Sequence, residues 1–357
     1  MMSNNSDQYD ICILGGGLCG LTLGYLLRDA NQRVVIIEAR DRLGGRIETV
    51  TTSHDARIEL GATWLGKKHK SLISLLEQLD IDITPQYMSD KAIYEPISTS
   101  PHMIVDLPPN EPSYRIGGGS SRLIQRLSQE INAEVKTGTP VTYMGFEDDA
   151  VRLDTPQGQI KAQKVISTLP PYLLLQITGV RGSLPAELIE IMEHTHTWMG
   201  SSIKIALSFD HPFWRSAHTS GTIVSNVGPV SEMYDHTNEE GTSFALIGFL
   251  DGAYANITQE QRRDLVLRQL RKYYGPHIDE YTDYLDKPWR HECYTHADYK
   301  GQVLPHQHNG HTIYHRAYVD GLLWIAGAET AQEHPGYMDG AVSSAHWVYD
   351  QLKISYT

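Results

Sequence analysis

The chain has 357 residues, of which 40% are hydrophobic and 20% charged, as in ordinary folded proteins, so wholesale disorder is excluded. At about 150 residues per domain, this length predicts about two domains. The net charge of −13, without blocks of lysine or arginine, argues against nucleic acid or an anionic lipid surface as a partner. No apolar run is long enough to suggest a membrane span, so no membrane partner is expected.

The cysteines and the start of the chain predict a reducing compartment. Cys12, Cys19 and Cys293 are too few and too scattered for a disulfide framework or a zinc site. The N-terminal stretch is polar, whereas a signal peptide is basic and then apolar. A cytoplasmic location is therefore expected.

The first forty residues predict a strand, a helix and a second strand. Residues 9–14 form an apolar run that ends at a glycine-rich turn, and a helical pattern continues to about Ala30. A second apolar run, 34–37, ends in Glu38. A strand–helix–strand unit of about 30 residues is the smallest piece of a parallel sheet.

The remaining chain predicts a more antiparallel region followed by a return to α/β structure. Residues 84–112 are rich in proline, serine and aspartate and are predicted to be a loop with short edge strands. Alternating patterns with turn signals predict an antiparallel meander over 141–168. Further strands are predicted at 201–209, 221–225, 231–236, 243–250 and 322–326, and helices at 69–79, 120–131, 258–274 and 337–352.

The first glycine-rich turn carries a dinucleotide-binding fingerprint. Gly15, Gly17 and Gly20 follow the strand directly and open the helix, and Glu38 ends the next strand. The glycines permit a tight turn, close approach of a pyrophosphate to the backbone and close helix packing, while the acidic residue can accept hydrogen bonds from ribose hydroxyls. The fingerprint predicts a dinucleotide and does not separate FAD from NAD.

A second glycine turn, Gly44-Gly45-Arg46, follows the acidic residue. An arginine at this position is predicted to contact the pyrophosphate from the other side through paired hydrogen bonds. From here the chain resembles the flavin-containing amine oxidase family, which includes monoamine oxidases, polyamine oxidases and L-amino-acid oxidases. The resemblance lies in the runs at 38–47, 59–64, 116–120, 165–170, 200–204, 211–214, 324–331 and 336–342, which occur in family order.

The resemblance implies an α/β fold of two domains. A Rossmann-like FAD-binding domain is expected from the discontinuous segments 1–68, 112–170 and 312–357. A substrate-binding domain with a mixed or antiparallel sheet is expected from 69–111 and 171–311. The helical insertion that covers the substrate cavity in larger family members is largely missing here, so the front of the flavin is expected to be more open, or closed by another chain.

The resemblance also implies a set of residues that contact non-covalently bound FAD, beyond the three fingerprint glycines, Glu38 and Arg46. These are Leu18, Cys19, Ala39, Arg40, Gly44, Gly45, Gly61, Ala62, Thr63, Trp64, Val141, Thr168, Gly327, Glu329, Gly336, Tyr337, Met338 and Ala341. Glu329 is expected to order the turn where the ribityl chain and the pyrophosphate pass a helix N-terminus.

Three residues are expected to carry catalysis by this resemblance. Lys204 matches the lysine that holds a water against the flavin, although strand alternation alone equally allows an outward-facing surface lysine. Tyr337 matches an aromatic residue at the front of the flavin, and Tyr299 is predicted as its partner across the substrate amine. Asp298 then stands where monoamine oxidases carry the flavin-linking cysteine, which predicts dissociable FAD.

Two other features are given structural interpretations. Cys293 is interpreted as a buried structural thiol. The histidine-rich stretch 306–315 is interpreted as a polar loop, and no metal site is expected.

The function predicted from the resemblance is an FAD-dependent amine oxidase. A hydride equivalent passes from the amine C–H bond to the flavin, the imine hydrolyses, and molecular oxygen reoxidises the flavin with release of hydrogen peroxide. The alternatives are a related flavin oxidoreductase or desaturase acting on a C–C bond, and a flavin-binding accessory protein without turnover. The sequence does not identify the amine.

Overall fold

The computed structural model describes residues 7–108, 111–216 and 219–354. Residues 1–6, on which the expected location partly rests, lie outside this range. The described residues form nineteen strands, β1–β19 in chain order: Asp7–Leu14, Val34–Ile37, Thr49–Thr51, Arg57–Glu59, Trp64–Leu65, Ile83–Pro85, Lys91–Glu95, Met103–Asp106, Tyr114–Ile116, Glu134–Lys136, Tyr143–Phe146, Val151–Thr155, Gly158–Ser167, Ser202–Phe209, Ile223–Ser225, Val230–Asp235, Phe244–Asp251, Asp283–Pro288 and Leu323–Ile325. They also form eight α-helices, α1–α8: Leu18–Leu26, Lys70–Gln78, Ser121–Glu130, Pro171–Leu174, Ala186–Glu193, Phe213–Ser216, Gln259–Tyr274 and Met338–Ile354.

The first large sheet joins the two ends of the chain. Its strands lie in the order β10-β2-β1-β13-β12-β11, and β19 pairs with the end of β13. Strands β10, β2, β1, β13 and β19 run parallel to one another. Strand β13 also pairs with β12 in the predicted antiparallel meander β11-β12-β13. This arrangement confirms the predicted α/β domain built from discontinuous segments.

Both faces of this sheet are buried, because alternate residues of β1 point into two separate cores. Ile11 and Ile13 pack with helices α1, α2, α3 and α8. Cys12 and Leu14 pack with helices α4 and α5. A parallel sheet covered on both faces explains why β1 and β2 are almost continuously apolar in sequence.

Three helices depart from the predicted division into domains. Helix α2 lies within 69–111, and helices α4 and α5 lie within 171–311, both predicted as parts of the second domain. Their apolar faces nevertheless join the two cores of the first sheet. Helix α2 is also held there by a hydrogen bond, 2.8 Å long, from the Leu72 amide to Asp339 of α8. The rest of the predicted division remains a prediction.

The second large sheet is mostly antiparallel and lies in the order β18-β14-β17-β16-β15-β7-β8. Strands β7 and β8 come from the segment 84–112, so part of the predicted loop extends this sheet at its edge. Helix α7 covers one face of the sheet through a core that includes Ile203, Ile205 and Val266. On the other face, Ala206 and Ile247 pack with Ile58 of β4 and with Leu60, which follows it.

A large cavity opens between the two sheets. Leu14 and Ile37, the last residues of β1 and β2, line one side of it, and Lys204 and Phe249 of the second sheet line the other. Ligands of open α/β sheets bind outside the carboxyl ends of the parallel strands, which is where this cavity lies. Within the described residues, no helix is long and apolar enough to cross a membrane.

Candidate active site

The floor of the cavity is formed by two glycine turns that lie side by side. The Gly44 amide donates to the Gly16 carbonyl over 2.8 Å, and Gly44 forms an isolated bridge with Gly17. A Cβ atom on Gly17 would have no neighbour nearer than Cα of Gly45, at 3.9 Å, so a side chain there would fill open cavity. Helix α1 begins here, and no side chain caps the amides of its first turn, as expected for a helix end that binds an anion.

Gly20 has a different role from Gly17. A Cβ atom on Gly20 would lie 2.0 Å from the carbonyl oxygen of Gly15, so only glycine lets α1 pack this closely on the end of β1. Gly15 itself has a φ of +104°, which other residues rarely adopt. The fingerprint therefore separates into glycines that shape the turn and one that leaves room for a ligand.

Glu38 stands at the end of β2 as predicted, 4% exposed. Its two carboxylate oxygens accept hydrogen bonds from the amides of Gly16, at 2.8 Å, and Arg40, at 2.9 Å. Each oxygen keeps a second acceptor site, so these bonds orient the carboxylate while leaving it able to bind hydroxyl groups. Glu38 also lines the cavity.

Arg46 and Glu329 form a bidentate ion pair that the sequence did not predict. The guanidinium donates to the two carboxylate oxygens over 2.5 and 2.8 Å, and Glu329 is 1% exposed. The prediction paired Arg46 with a pyrophosphate and gave Glu329 only a turn to order. The ion pair has no net charge. Arg46 lines the cavity wall, so it can bind an anion there through its remaining N–H donors.

The cavity has a volume of about 1380 Å³. Single drug-sized ligands usually occupy about 300–1,000 Å³, so this space admits a dinucleotide together with a small substrate. Of the predicted cofactor contacts, those that line the wall are Gly15, Gly17, Leu18, Cys19, Glu38, Ala39, Arg40, Gly44, Gly45, Arg46, Gly61, Ala62, Thr63, Trp64, Val141, Thr168, Gly336, Tyr337, Met338 and Ala341. Those placed behind the wall are Gly20, Gly327 and Glu329.

Lys204 is a buried residue of the cavity wall and not a surface lysine, since only 1% of it is exposed. Its Nζ donates to Thr63 Oγ1 over 2.8 Å and to the Gly61 carbonyl over 3.2 Å. The ammonium lies 4.5 Å from the ring centre of Trp64 and 4.7 Å from that of Phe249. A third N–H remains to hold a water or a cofactor atom.

Burial lowers the pKa of Lys204 to about 7, because the charged form loses its hydration. The nearby Glu59 carboxylate acts in the opposite direction. Burial also raises the pKa of Glu59, against the hydrogen bonds that it accepts from the Ser120 amide and the Thr49 hydroxyl. A lysine with a pKa near neutrality is typical of functional sites.

Tyr337 lines the cavity and is 45% exposed. Tyr299 does not face it, and this prediction is wrong. The Tyr299 ring lies beside Tyr172, with ring centres 5.2 Å apart, and its hydroxyl is bonded to the backbone of residues 195 and 197 behind the wall. The aromatic residue that stacks on Tyr337 is Trp198, with ring centres 6.3 Å apart and planes 26° from parallel.

The wrong prediction for Tyr299 also affects the interpretation of its neighbours. Asp298 is a surface residue paired with Arg290 at 2.6 Å, so it marks no flavin-linking position. Cys293, interpreted above as a buried thiol, is instead exposed and lines the cavity. Its neighbour Thr295 accepts a hydrogen bond from Arg40, which places this segment at the nucleotide end of the cavity.

The histidine-rich stretch makes ordinary loop contacts. His311 accepts a hydrogen bond from the Ile313 amide, and His315 bonds to the Thr330 carbonyl. Among the residues that the structure describes, no three histidine, cysteine, aspartate or glutamate side chains are grouped as a metal site would require.

The register of the second sheet brings together a row of side chains that the sequence did not predict. Lys204 pairs with Phe249 on β17, and Phe249 pairs with Glu232 on β16. Strands lie about 4.8 Å apart, so the Cα atoms of Lys204 and Glu232 are about 10 Å apart. Tyr234 donates a hydrogen bond to Glu232 over 2.9 Å, and both residues line the cavity. Strand alternation is visible in the sequence, but the pairing that brings these residues together is not.

The sequence is similar to proteins described as flavin-containing amine oxidases. The sequence profile of a family described as flavin containing amine oxidoreductase matches residues 18–109 and 98–347. The probable flavin-containing monoamine oxidase A of Dictyostelium discoideum is 25% identical over an alignment of 455 residues that covers 98% of each protein. The human flavin-containing amine oxidase B is 22% identical over 95% of this chain and 85% of its own length.

Solved structures show the same fold. Putrescine oxidase bound to putrescine has a TM-score of 0.86 and 21% identity, and the match covers 98% of this chain and all of that one. Cyclohexylamine oxidase from Brevibacterium oxydans has a TM-score of 0.81 and 17% identity, covering 97% of this chain and 99% of that one. At these identities the structural matches bear on the fold and not on the substrate.

Proposed function

Because the chain belongs to the flavin-containing amine oxidoreductase family, we propose that it binds FAD non-covalently and oxidises a small primary amine, with molecular oxygen as the electron acceptor. The observation that carries the proposal is the buried Lys204, held by Thr63 in the wall of a cavity that also contains the dinucleotide fingerprint. A buried lysine costs stability, so its position between two aromatic rings indicates a function.

The residues of the cavity fit FAD. Gly17 and Gly45 leave an open cradle beside the N-terminus of α1, and Glu38 presents free acceptor sites at the end of β2. The cysteines support a dissociable cofactor. Burial raises the pKa values of the Cys12 and Cys19 thiols, which keeps them protonated. Thr295, two residues after Cys293, accepts a hydrogen bond from Arg40 at the nucleotide end.

Glu38 and the glycine cradle would hold the flavin, which would supply an acceptor for the hydride equivalent from the carbon beside the amine nitrogen and pass two electrons, with two protons, to oxygen as hydrogen peroxide. The protein contributes position and electrostatics. Lys204 has one N–H free to hold a water, and its pKa of about 7 lets it hold or release a proton near neutral pH. Trp64 and Phe249 exclude bulk water from its other sides.

Glu232 supports a substrate that carries a second cation. Glu232 lines the cavity, and its Cα lies about 10 Å across the sheet from that of Lys204. Its carboxylate accepts a hydrogen bond from Tyr234, which orients it. Among the residues described for the cavity wall, the basic ones are Lys204, which is buried under aromatic rings, and Arg40 and Arg46 at the nucleotide end. A substrate carboxylate would therefore meet Glu232 without a neighbouring cation, so we propose a diamine rather than an amino acid as the preferred class.

The test is turnover by the FAD-loaded protein with matched substrates. The protein is supplied in air with each of three substrates, which are butylamine, 1,4-diaminobutane and the α-amino acid with the carbon chain of butylamine. Hydrogen peroxide and ammonia are quantified. The proposal predicts both products from the diamine and much slower release by Lys204→Met, which should still retain FAD. Absence of both products with every amine would reject amine oxidation and favour the desaturase-like or accessory alternatives. Loss of FAD from Lys204→Met would reject the role given to this lysine.

A further inference from the structure

The second glycine turn is braced by the side chain of Arg42. Its guanidinium donates hydrogen bonds to the carbonyls of Leu43 and Gly45 over 3.2 and 3.1 Å. Arg42 also pairs with Glu48 at 2.8 Å. Because a carboxylate can accept about four hydrogen bonds, Glu48 can bind a further cation. These contacts connect the turn, which lines the cavity floor, to the Glu48 carboxylate.

Arg40, on the same segment, contacts another part of the cavity wall. Its guanidinium donates two hydrogen bonds to Glu292, over 3.0 and 3.1 Å, and one to the Thr295 hydroxyl over 2.8 Å. Glu292 follows β18 of the second sheet, and residues 293–295 line the cavity. The Arg40 side chain is only 10% exposed. This contact therefore joins the nucleotide-binding segment to a wall segment that the second sheet carries.

Lys287 connects these two arginine–glutamate pairs. Its Nζ lies 2.7 Å from the Glu292 carboxylate and 3.1 Å from that of Glu48. The result is a row of five alternating charges, here named the ionic clasp, which consists of Arg42, Glu48, Lys287, Glu292 and Arg40. Networks of several charges contribute more than isolated surface pairs do.

The second sheet fixes the position of Lys287. Strand β18 pairs with β14 along its length, and Lys287 lies directly opposite Lys204 in that pairing. Like charges directly opposite each other destabilise a sheet. Glu48 and Glu292 counter this repulsion because both lie against the Lys287 ammonium. The lysine is therefore held between the two carboxylates, close to the strand that carries Lys204.

We propose that Lys287 is a positioning residue for FAD, which joins Glu48 to Glu292 and so closes the nucleotide end of the cavity around the cofactor. The inference rests on the proposed non-covalent binding of FAD, since a covalently attached cofactor needs no such retention. Separation of the segment 38–48 from residues 292–295 would open this end of the cavity, so the clasp opposes release of FAD. Its side chains are 10–30% exposed, so salt screens the clasp in part.

The experiment follows release of FAD from the FAD-loaded protein after dilution, through the rise in flavin fluorescence, at 50 and 500 mM NaCl. Lys287→Met is expected to release FAD about tenfold faster at the lower salt concentration and to respond less to salt than the wild type. Lys287→Arg can still contact both carboxylates and should release FAD at most about threefold faster. Lys161→Met is the matched control, because Lys161 pairs with Glu147 at 2.6 Å and lies outside the cavity wall.

Glu292→Gln separates the clasp from a general attraction between the protein and the FAD phosphates. It removes a negative charge, so a general attraction predicts slower release of the anionic cofactor. The clasp predicts the opposite, which is release several times faster, because Arg40 and Lys287 lose their shared partner. Glutamine keeps the size of the side chain, so this variant decides the question if Lys287→Met does not fold.

Three results would overturn the inference. They are unchanged release in Lys287→Met and Glu292→Gln, slower release in Glu292→Gln, and equal acceleration in Lys287→Met and Lys161→Met. FAD that stays attached to the denatured wild type would reject both this inference and the proposed non-covalent binding. Release of FAD needs no turnover, so the predicted changes in a protein that oxidises no amine would uphold the clasp while amine oxidation fails.

Discussion

Replacing Glu232 by Gln is expected to remove most of the preference for a diamine over a monoamine. Glutamine keeps the size of the side chain and a hydrogen-bonding partner for Tyr234 but loses the negative charge. A charge pair 4 Å apart contributes about 4 kcal/mol at an effective dielectric constant of 20 and about 1 kcal/mol in water. Glu232 is exposed to the cavity, so the lower part of this range applies, and we expect about 1.5 kcal/mol, or a factor of about ten.

The assay compares kcat/KM for 1,4-diaminobutane and butylamine in the wild type and in the Glu232→Gln variant. The ratio is expected to fall about tenfold, with butylamine almost unaffected, because only the diamine places a cation beside the carboxylate. Glu240→Gln is the matched control, since Glu240 is an exposed acidic residue in the turn after β16 and lies outside the cavity wall. An unchanged ratio, or an equal fall for both amines, would refute the role given to Glu232.

Three further predictions concern the cofactor cradle and the two buried residues Glu329 and Lys204. Gly17→Ala is expected to leave the unfolding temperature of the apoprotein unchanged but to weaken FAD binding at least tenfold. Gly20→Ala should lower the unfolding temperature, because its Cβ would lie 2.0 Å from a backbone oxygen. If both variants changed FAD binding and the unfolding temperature equally, the separate roles given to the two glycines would be contradicted. Glu329→Gln removes the buried counter-charge of Arg46, which is itself only partly exposed, so thermal unfolding should show a loss of about 3 kcal/mol. Glu193→Gln, at a more exposed pair with Arg181, should change stability by less than about 1 kcal/mol. Burial lowers the pKa of Lys204 from 10.5 to about 7, so the folded wild type binds a proton less readily than the unfolded chain between these values, and its stability rises with pH. Lys204→Met should therefore have a higher free energy of unfolding than the wild type below about pH 7, by up to about 5 kcal/mol, and this difference should disappear above about pH 10.5. A difference in unfolding free energy that does not change with pH would exclude a buried titrating amine.

Local patterns predicted most of the secondary structure because each element carries its own signal. The strand at 9–14, the glycine turn and the strand at 34–37 occur as predicted, with β1 beginning slightly earlier and α1 ending at Leu26. The helix predicted at 258–274 is found at Gln259–Tyr274, where Thr258 and Gln261 form a capping box that fixes its start. Helix α2 was also predicted from its own residues. The core that it packs against depends on long-range contacts, which a local sequence pattern does not reveal.

The errors at the site have one physical cause, which is the path of the chain between elements. Tyr299 lies at a plausible distance along the sequence from Tyr337, but the loop carries it behind the segment 195–197, where its hydroxyl satisfies two backbone groups. Trp198 and Glu232 were missed because no local pattern distinguishes a cavity-facing side chain from a surface one. Their role becomes visible only through the stacking on Tyr337 and the register of the second sheet.

The measurement that tests the central claim most directly is the visible spectrum of the FAD-loaded protein under anaerobic conditions. One equivalent of 1,4-diaminobutane is expected to bleach the flavin band, and admission of oxygen should restore it with release of hydrogen peroxide. Dithionite serves as the control that the bound flavin can be reduced. A flavin that dithionite bleaches but that no mono-, di- or polyamine bleaches would contradict the proposal that this protein oxidises amines.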